Sequence, residues 1–75
     1  MYTIRFVPEA MAGFRKIPSG VVGHVSSTIQ QLRCNPHPPD AQHMGSNSYR
    51  IAAHGHIVEY EVLEGEAIIK IAYVL

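Results

Sequence analysis

From Tyr49 to Leu75 nearly every second residue is apolar, and turn signals break the pattern at two places, His54-Gly55 and Glu64-Gly65. A period of two marks strands buried on one side, and glycine supplies the positive φ that a two-residue hairpin turn requires. The stretch therefore reads as a meander of three antiparallel strands. Its two turns also set a register, in which residue numbers of facing pairs add to 109 in the first hairpin and to 129 in the second. One face then carries Tyr49, Ile51, Ala53, His56, Val58, Tyr60, Val62, Ala67, Ile69, Ile71, Tyr73 and Leu75, and it is apolar enough to need a cover. The opposite face carries Arg50, Ala52, Ile57, Glu59, Glu61, Ile68, Lys70, Ala72 and Val74. On it Arg50 faces Glu59 and Glu59 faces Lys70, a row that runs basic, acidic, basic.

The cover comes from the preceding half of the chain. Tyr2 to Val7 alternates as a strand and is ended by Pro8. Proline suits the first position of a helix and Glu9 suits its positive end, and Met11, Phe14 and Ile17 recur at a spacing of three before Pro18 stops the helix. Ser19 is a candidate N-cap for a second helix, whose apolar stripe is Val22, Val25, Ile29 and Leu32. His24, Ser27, Gln30 and Gln31 form its outer face, and Asn35-Pro36 closes it. From Cys34 to Ser48 the periodicity is lost and Pro36, Pro38, Pro39 and Gly45 collect, which predicts a loop. The expected architecture is α+β: an N-terminal strand, then a two-helix hairpin packed on one face of an antiparallel sheet with a C-terminal three-stranded meander. Residues 1–75 make one domain.

Six lysines and arginines balance six carboxylates among 75 residues, 47% of them apolar, so neither disorder nor indiscriminate binding to nucleic acid through bulk charge is expected. The balance conceals a polarity. Up to Arg33 four cations stand against Glu9 alone, and beyond it Arg50 and Lys70 stand against five carboxylates. Cys34 is the only cysteine and has no internal disulfide partner. No run reaches the 18 or so apolar residues of a membrane span, and the N-terminus lacks the apolar core of a signal peptide. A cytoplasmic protein that does not contact membranes is the expectation.

The residues at the joints of this pattern resemble the RelE/ParE superfamily of toxins from type II toxin–antitoxin modules. The matching pieces are Tyr2-Thr3-Ile4-Arg5-Phe6 with Pro8 and Ala10, Phe14-Arg15-Lys16-Ile17-Pro18, and Ile29 to Leu32 with Asn35-Pro36. Met44-Gly45, Tyr49-Arg50-Ile51 and Val58-Glu59-Tyr60-Glu61-Val62 complete them. The resemblance implies a toxin held inactive by a cognate antitoxin protein that wraps it. In the RelE branch it implies an mRNA endoribonuclease (an mRNA interferase) acting on the ribosome, with side chains on the open face of the sheet. In the ParE branch it implies a non-enzymatic inhibitor of DNA gyrase. A shortened toxin that binds antitoxin without catalysis is the further alternative, because two positions usually basic in cleaving members are Ala52 and Ile57, and the C-terminal catalytic segment of the family has no counterpart before Leu75.

Cleavage of RNA through its own 2′-hydroxyl needs a base, an acid and positive charge for the phosphorane. Arg50 is the candidate for the charge, against the alternative that it is spent on Glu59 in a cross-strand pair. Histidine serves as acid and base near neutral pH. The candidates are His43, before Met44-Gly45, and His54, expected on the face of Arg50 at the hairpin tip. Glu59 between two cations is a poor base and reads as structural. His54 and His56 flank a glycine and point apart, so no metal site is expected, and no motif calls for a cofactor. Arg15, Lys16 and Arg33 have no interleaved aromatic residues and read as a solvated helix face that an antitoxin's acidic side chains could meet.

Overall fold

A computed structural model describes all residues from Met1 to Leu75. In chain order the elements are β1 (Thr3–Phe6), α1 (Pro8–Arg15), α2 (Ser19–Gln31), β2 (Gln42–Gly45), β3 (Ser48–Ala53), β4 (His56–Leu63) and β5 (Ile68–Val74), with a 3₁₀ turn at Glu64–Glu66. The strands form one sheet in the order β1-β5-β4-β3-β2. The pairs from β2 to β5 are antiparallel, and β1 lies parallel to β5 because the two helices carry the chain back across one face. The α+β class and the helix pair on a C-terminal meander are as the alternation implies. No helix is long and apolar enough to cross a membrane.

Pro8 opens α1, Glu9 lies in its first turn and Arg15 in its last, each the charge its end of the helix dipole favours. At the second helix Pro18, not Ser19, occupies the cap position, and Ser19 is already helical without a side-chain cap bond. Ala10 of α1, Ile17 just beyond it, Val25 and Ile29 of α2 and Leu32 at its C-cap are buried with Ile51, Ala53, Val58, Tyr60, Val62, Ile69, Ile71 and Val74 in a single core. Gly13 lies against the backbone of β5 at Val74, where β1 no longer pairs with that strand. A Cβ there would come closer than 3.0 Å to the Val74 carbonyl oxygen, so only glycine allows the helix to seat.

The first hairpin has the expected register, with Arg50 opposite Glu59 and Ala53 opposite His56 across the His54-Gly55 turn. Both turn residues have positive φ, 49° and 83°. The second hairpin differs from the expectation. Glu64-Gly65 is part of a 3₁₀ turn completed by Ala67 in the left-handed region, so the loop is longer than two residues and Leu63 faces Ile68. Lys70 is consequently opposite Glu61, not Glu59. Lengthening the turn by an even number of residues keeps the faces, which is why Ile69 and Ile71 remain in the core. A bulge then inserts Ala72 between the pairs Tyr60–Ile71 and Glu59–Tyr73 and reverses the pattern. Val74 is buried in consequence, and Tyr73 and Leu75, expected inside, are 42% and 60% exposed.

The segment read as one loop holds a strand. Gln42–Gly45 pairs with β3 as the edge of the sheet, all four of its residues exposed, through a turn that uses Gly45 and Ser46 at positive φ. It has no apolar alternation because neither of its faces is buried, so periodicity could not reveal it.

Candidate site on the open face

The sheet face turned away from the helices carries Arg5 on β1, Lys70 on β5, Glu61 and Glu59 on β4 and Arg50 on β3, placed there by register. Arg50 Nη2 donates to Glu59 Oε2 at 3.1 Å, and Lys70 Nζ lies 3.1 Å from Glu61 Oε1. All four side chains are part-exposed, so each pair adds less than about 1 kcal/mol to stability. Arg50 Nε is covered and has no hydrogen-bond partner. The face is thus nearly neutral: two of its three cations are answered by its own carboxylates, and Arg5 remains. Beside them Met44, Ser48, Glu59, Glu61 and Ala72 border a shallow hollow of about 170 Å³. The basic, acidic, basic row expected across the face is not formed: Arg50 and Glu59 share one rung, whose β5 member is Tyr73, and Glu61 and Lys70 share another, whose β3 member is Ser48.

The three residues singled out from the sequence do not converge. Arg50 lies on the open face opposite Gln42 of β2. His43, the next residue, pairs with Tyr49 on the other side of the sheet, where its ring stacks on that tyrosine at 4.7 Å and 22°. Its Nε2–H donates to the Ser46 carbonyl at 2.6 Å, which leaves Nδ1 as the free acceptor. His54, expected beside Arg50, turns to the helix side and stacks on His24 of α2 at 4.2 Å, because its left-handed backbone at the hairpin tip breaks the strand alternation. His56 Nδ1 lies 2.9 Å from the Leu75 carbonyl oxygen.

Sequence reasoning missed an aromatic cluster. Tyr49 stacks on Tyr60 at 5.6 Å and 19°, and His37 tilts against Tyr49 at 4.9 Å. Tyr60 is 1% exposed and its hydroxyl donates to the Pro36 carbonyl at 2.9 Å, tying the proline-rich loop to the sheet. Burial, with smaller contributions from Tyr49 and Asp40, pushes its phenol up to about 12. The facing register of Tyr49 and Tyr60 was legible in the sequence. What was not was His43 above them, since β2 was unrecognised, although Gly45-Ser46-Asn47-Ser48 is turn chemistry that signals a hairpin.

The class of protein these elements define is a small α+β domain in which two helices cover one side of a five-stranded mixed sheet and leave the other open. Among solved structures that arrangement is found in the RelE toxins. The isolated RelE toxin of Escherichia coli superposes with a TM-score of 0.87 at 19% identity, over 99% of this chain and 82% of the other. A chain of the RelBE2 toxin–antitoxin complex of Mycobacterium tuberculosis matches at 0.83 and 17%, over 97% and 94%. A chain of the RelE–RelB complex of Pyrococcus horikoshii matches at 0.77 and 17%, over 97% and 91%. No protein-family model matches the sequence, and no curated protein does. The chain has the RelE fold.

Proposed function

We propose that this chain is the toxin of a type II toxin–antitoxin module, that it inhibits translation by cutting messenger RNA on the ribosome in the cytoplasm, and that a cognate antitoxin neutralises it. The observation that carries the reading is the superposition of nearly the whole chain on an isolated RelE toxin and on chains solved with their antitoxins. Arg50 supports it, as one of the three cations of the open face, able to meet a phosphate once Glu59 releases it. A phosphorane's developing charge is stabilised by such a group far more than its ground state is. In this reading His43 or His54 handles protons.

The separation of Arg50, His43 and His54 favours a second reading, a toxin-fold protein that binds antitoxin or DNA gyrase without catalysis. Induced expression with mapping of message ends on translating ribosomes decides between them. Under the first reading growth arrests, messages are cut, and Arg50→Ala relieves both by at least about tenfold while its thermal melt stays within about 1 kcal/mol of the parent. Toxicity that survives Arg50→Ala, His43→Ala and His54→Ala, or gyrase-linked DNA breaks with intact messages, replaces it with the second.

A further inference from the structure

Three rings form a continuous stack across three neighbouring strands. Tyr60 on β4 is buried and anchored by its hydroxyl, Tyr49 on β3 lies on it at 19°, and His43 on β2 lies on Tyr49 at 22°. The stack starts in the core and stops at the sheet's edge, on a strand whose residues are all exposed. The His43 ring is fixed on one side by Tyr49 and at Nε2 by the Ser46 carbonyl, and beyond β2 there is no further strand. A flat ring held this way has lost its rotational freedom before any ligand arrives, so stacking upon it costs less ordering than stacking on a free side chain.

We infer that His43 is a stacking platform for an unpaired nucleobase of single-stranded RNA, and that its contribution to binding is the face of its ring. The inference rests on the RNA-cleaving reading for its ligand class. The edge of β2 does not favour the other occupant, an added peptide strand: it is four residues long, its pairing shifts between His43 and Gly45, and Gly45 and Ser46 leave extended geometry. Irregularities of that kind turn an edge away from strand addition. A base needs only the ring, and every base offers a π-face, so the platform is tolerant of sequence and demands a strand that is not paired.

The test uses the whole chain and a fluorescein-labelled single-stranded RNA octamer, followed by anisotropy, with the duplex of the same sequence as the comparison. Base–aromatic stacking of about 1–3 kcal/mol converts to a loss of about 5- to 150-fold in affinity for His43→Ala. His43→Phe keeps the face and loses the nitrogens, so it is expected within about threefold of the parent. Both substitutions fall on an exposed edge residue, and the duplex is expected to bind more weakly than the single strand. Unchanged affinity in His43→Ala, or a His43→Phe as weak as the alanine variant, or equal binding of duplex and single strand, overturns the platform. Ring-dependent binding in a protein that cuts no messages on ribosomes supports the platform and removes the catalytic reading. Cutting that persists with RNA affinity indifferent to residue 43 overturns the platform alone.

Discussion

Replacing Gly13 by alanine tests whether the seat of α1 on the sheet has been correctly explained. A methyl at this position meets the Val74 carbonyl oxygen inside 3.0 Å, with the carbonyl carbon at 3.1 Å and the Val74 Cβ at 3.4 Å. The nearest atoms are backbone on both sides, so no rotamer change relieves the contact and α1 must lift from β5. Overpacking of a well-fitted site costs about 1–3 kcal/mol, and a clash between two backbones belongs at the upper end. Alanine returns about 1 kcal/mol through its helix propensity. The net loss is then about 2 kcal/mol, or a fall of about 8–16 °C in Tm for a domain of this size. Gly23 in α2 is the internal control, because a Cβ there meets nothing within 4 Å. Gly23→Ala should gain up to about 1 kcal/mol from propensity alone. Thermal melts of the two variants should therefore move in opposite directions. A Gly13→Ala protein that melts at or above the parent would refute the close approach of α1 to β5.

Tyr60→Phe removes the bond to the Pro36 carbonyl and should cost about 1–1.5 kcal/mol in a urea titration. Because the folded phenol is raised from 10.0 to about 12, the folded chain holds its proton where the unfolded chain has released it. That contribution is whole below pH 10 and is lost as pH climbs toward 12, at most about 3 kcal/mol, and Tyr60→Phe should flatten the alkaline slope. Deleting Ala72 removes the bulge while leaving Tyr73 opposite Glu59 and Val74 in the core, so the variant should fold with a Tm within a few degrees of the parent, by about 1 kcal/mol or less. Severe destabilisation would show instead that the strand alternates unbroken.

The faces of the sheet were legible because burial on one side imposes a period of two that survives any even change in turn length. Glu64-Gly65 shows the limit: the pattern located the turn, and the left-handed Ala67 that lengthens it has no compositional mark. The bulge at Ala72 was equally silent, since Ile71, Ala72, Tyr73 and Val74 are all apolar and fit either face. Gly13 carries no mark in the sequence that sets it apart, and it is required by a contact with Val74, far away in the chain. Of the candidate site, Arg50 and its bond to Glu59 followed from register alone. His54 did not, because a residue with φ of 49° leaves the alternation that was used to place it.

The three candidates are spread over two hairpins that share β3. Residues 50 and 54 of the same chain segment are four apart, about 13 Å in extended backbone, and His54 has besides turned to α2. A proton carried by His54 would have to reach a phosphate at Arg50 through the thickness of the sheet. His43 stands differently: it adjoins Gln42, the partner of Arg50, and lies on the edge strand with its side chain on the opposite face from that of Arg50 on the neighbouring strand. An RNA strand that rounds the edge of β2 can therefore place a base on His43 and a phosphate toward Arg50 without crossing the sheet. A strand lying flat on the open face meets Arg50, Lys70 and Arg5 but neither His43 nor His54. The β2–β3 hairpin is for that reason the element on which a functional reading of this chain depends, and it is also the element whose first strand no buried face specifies.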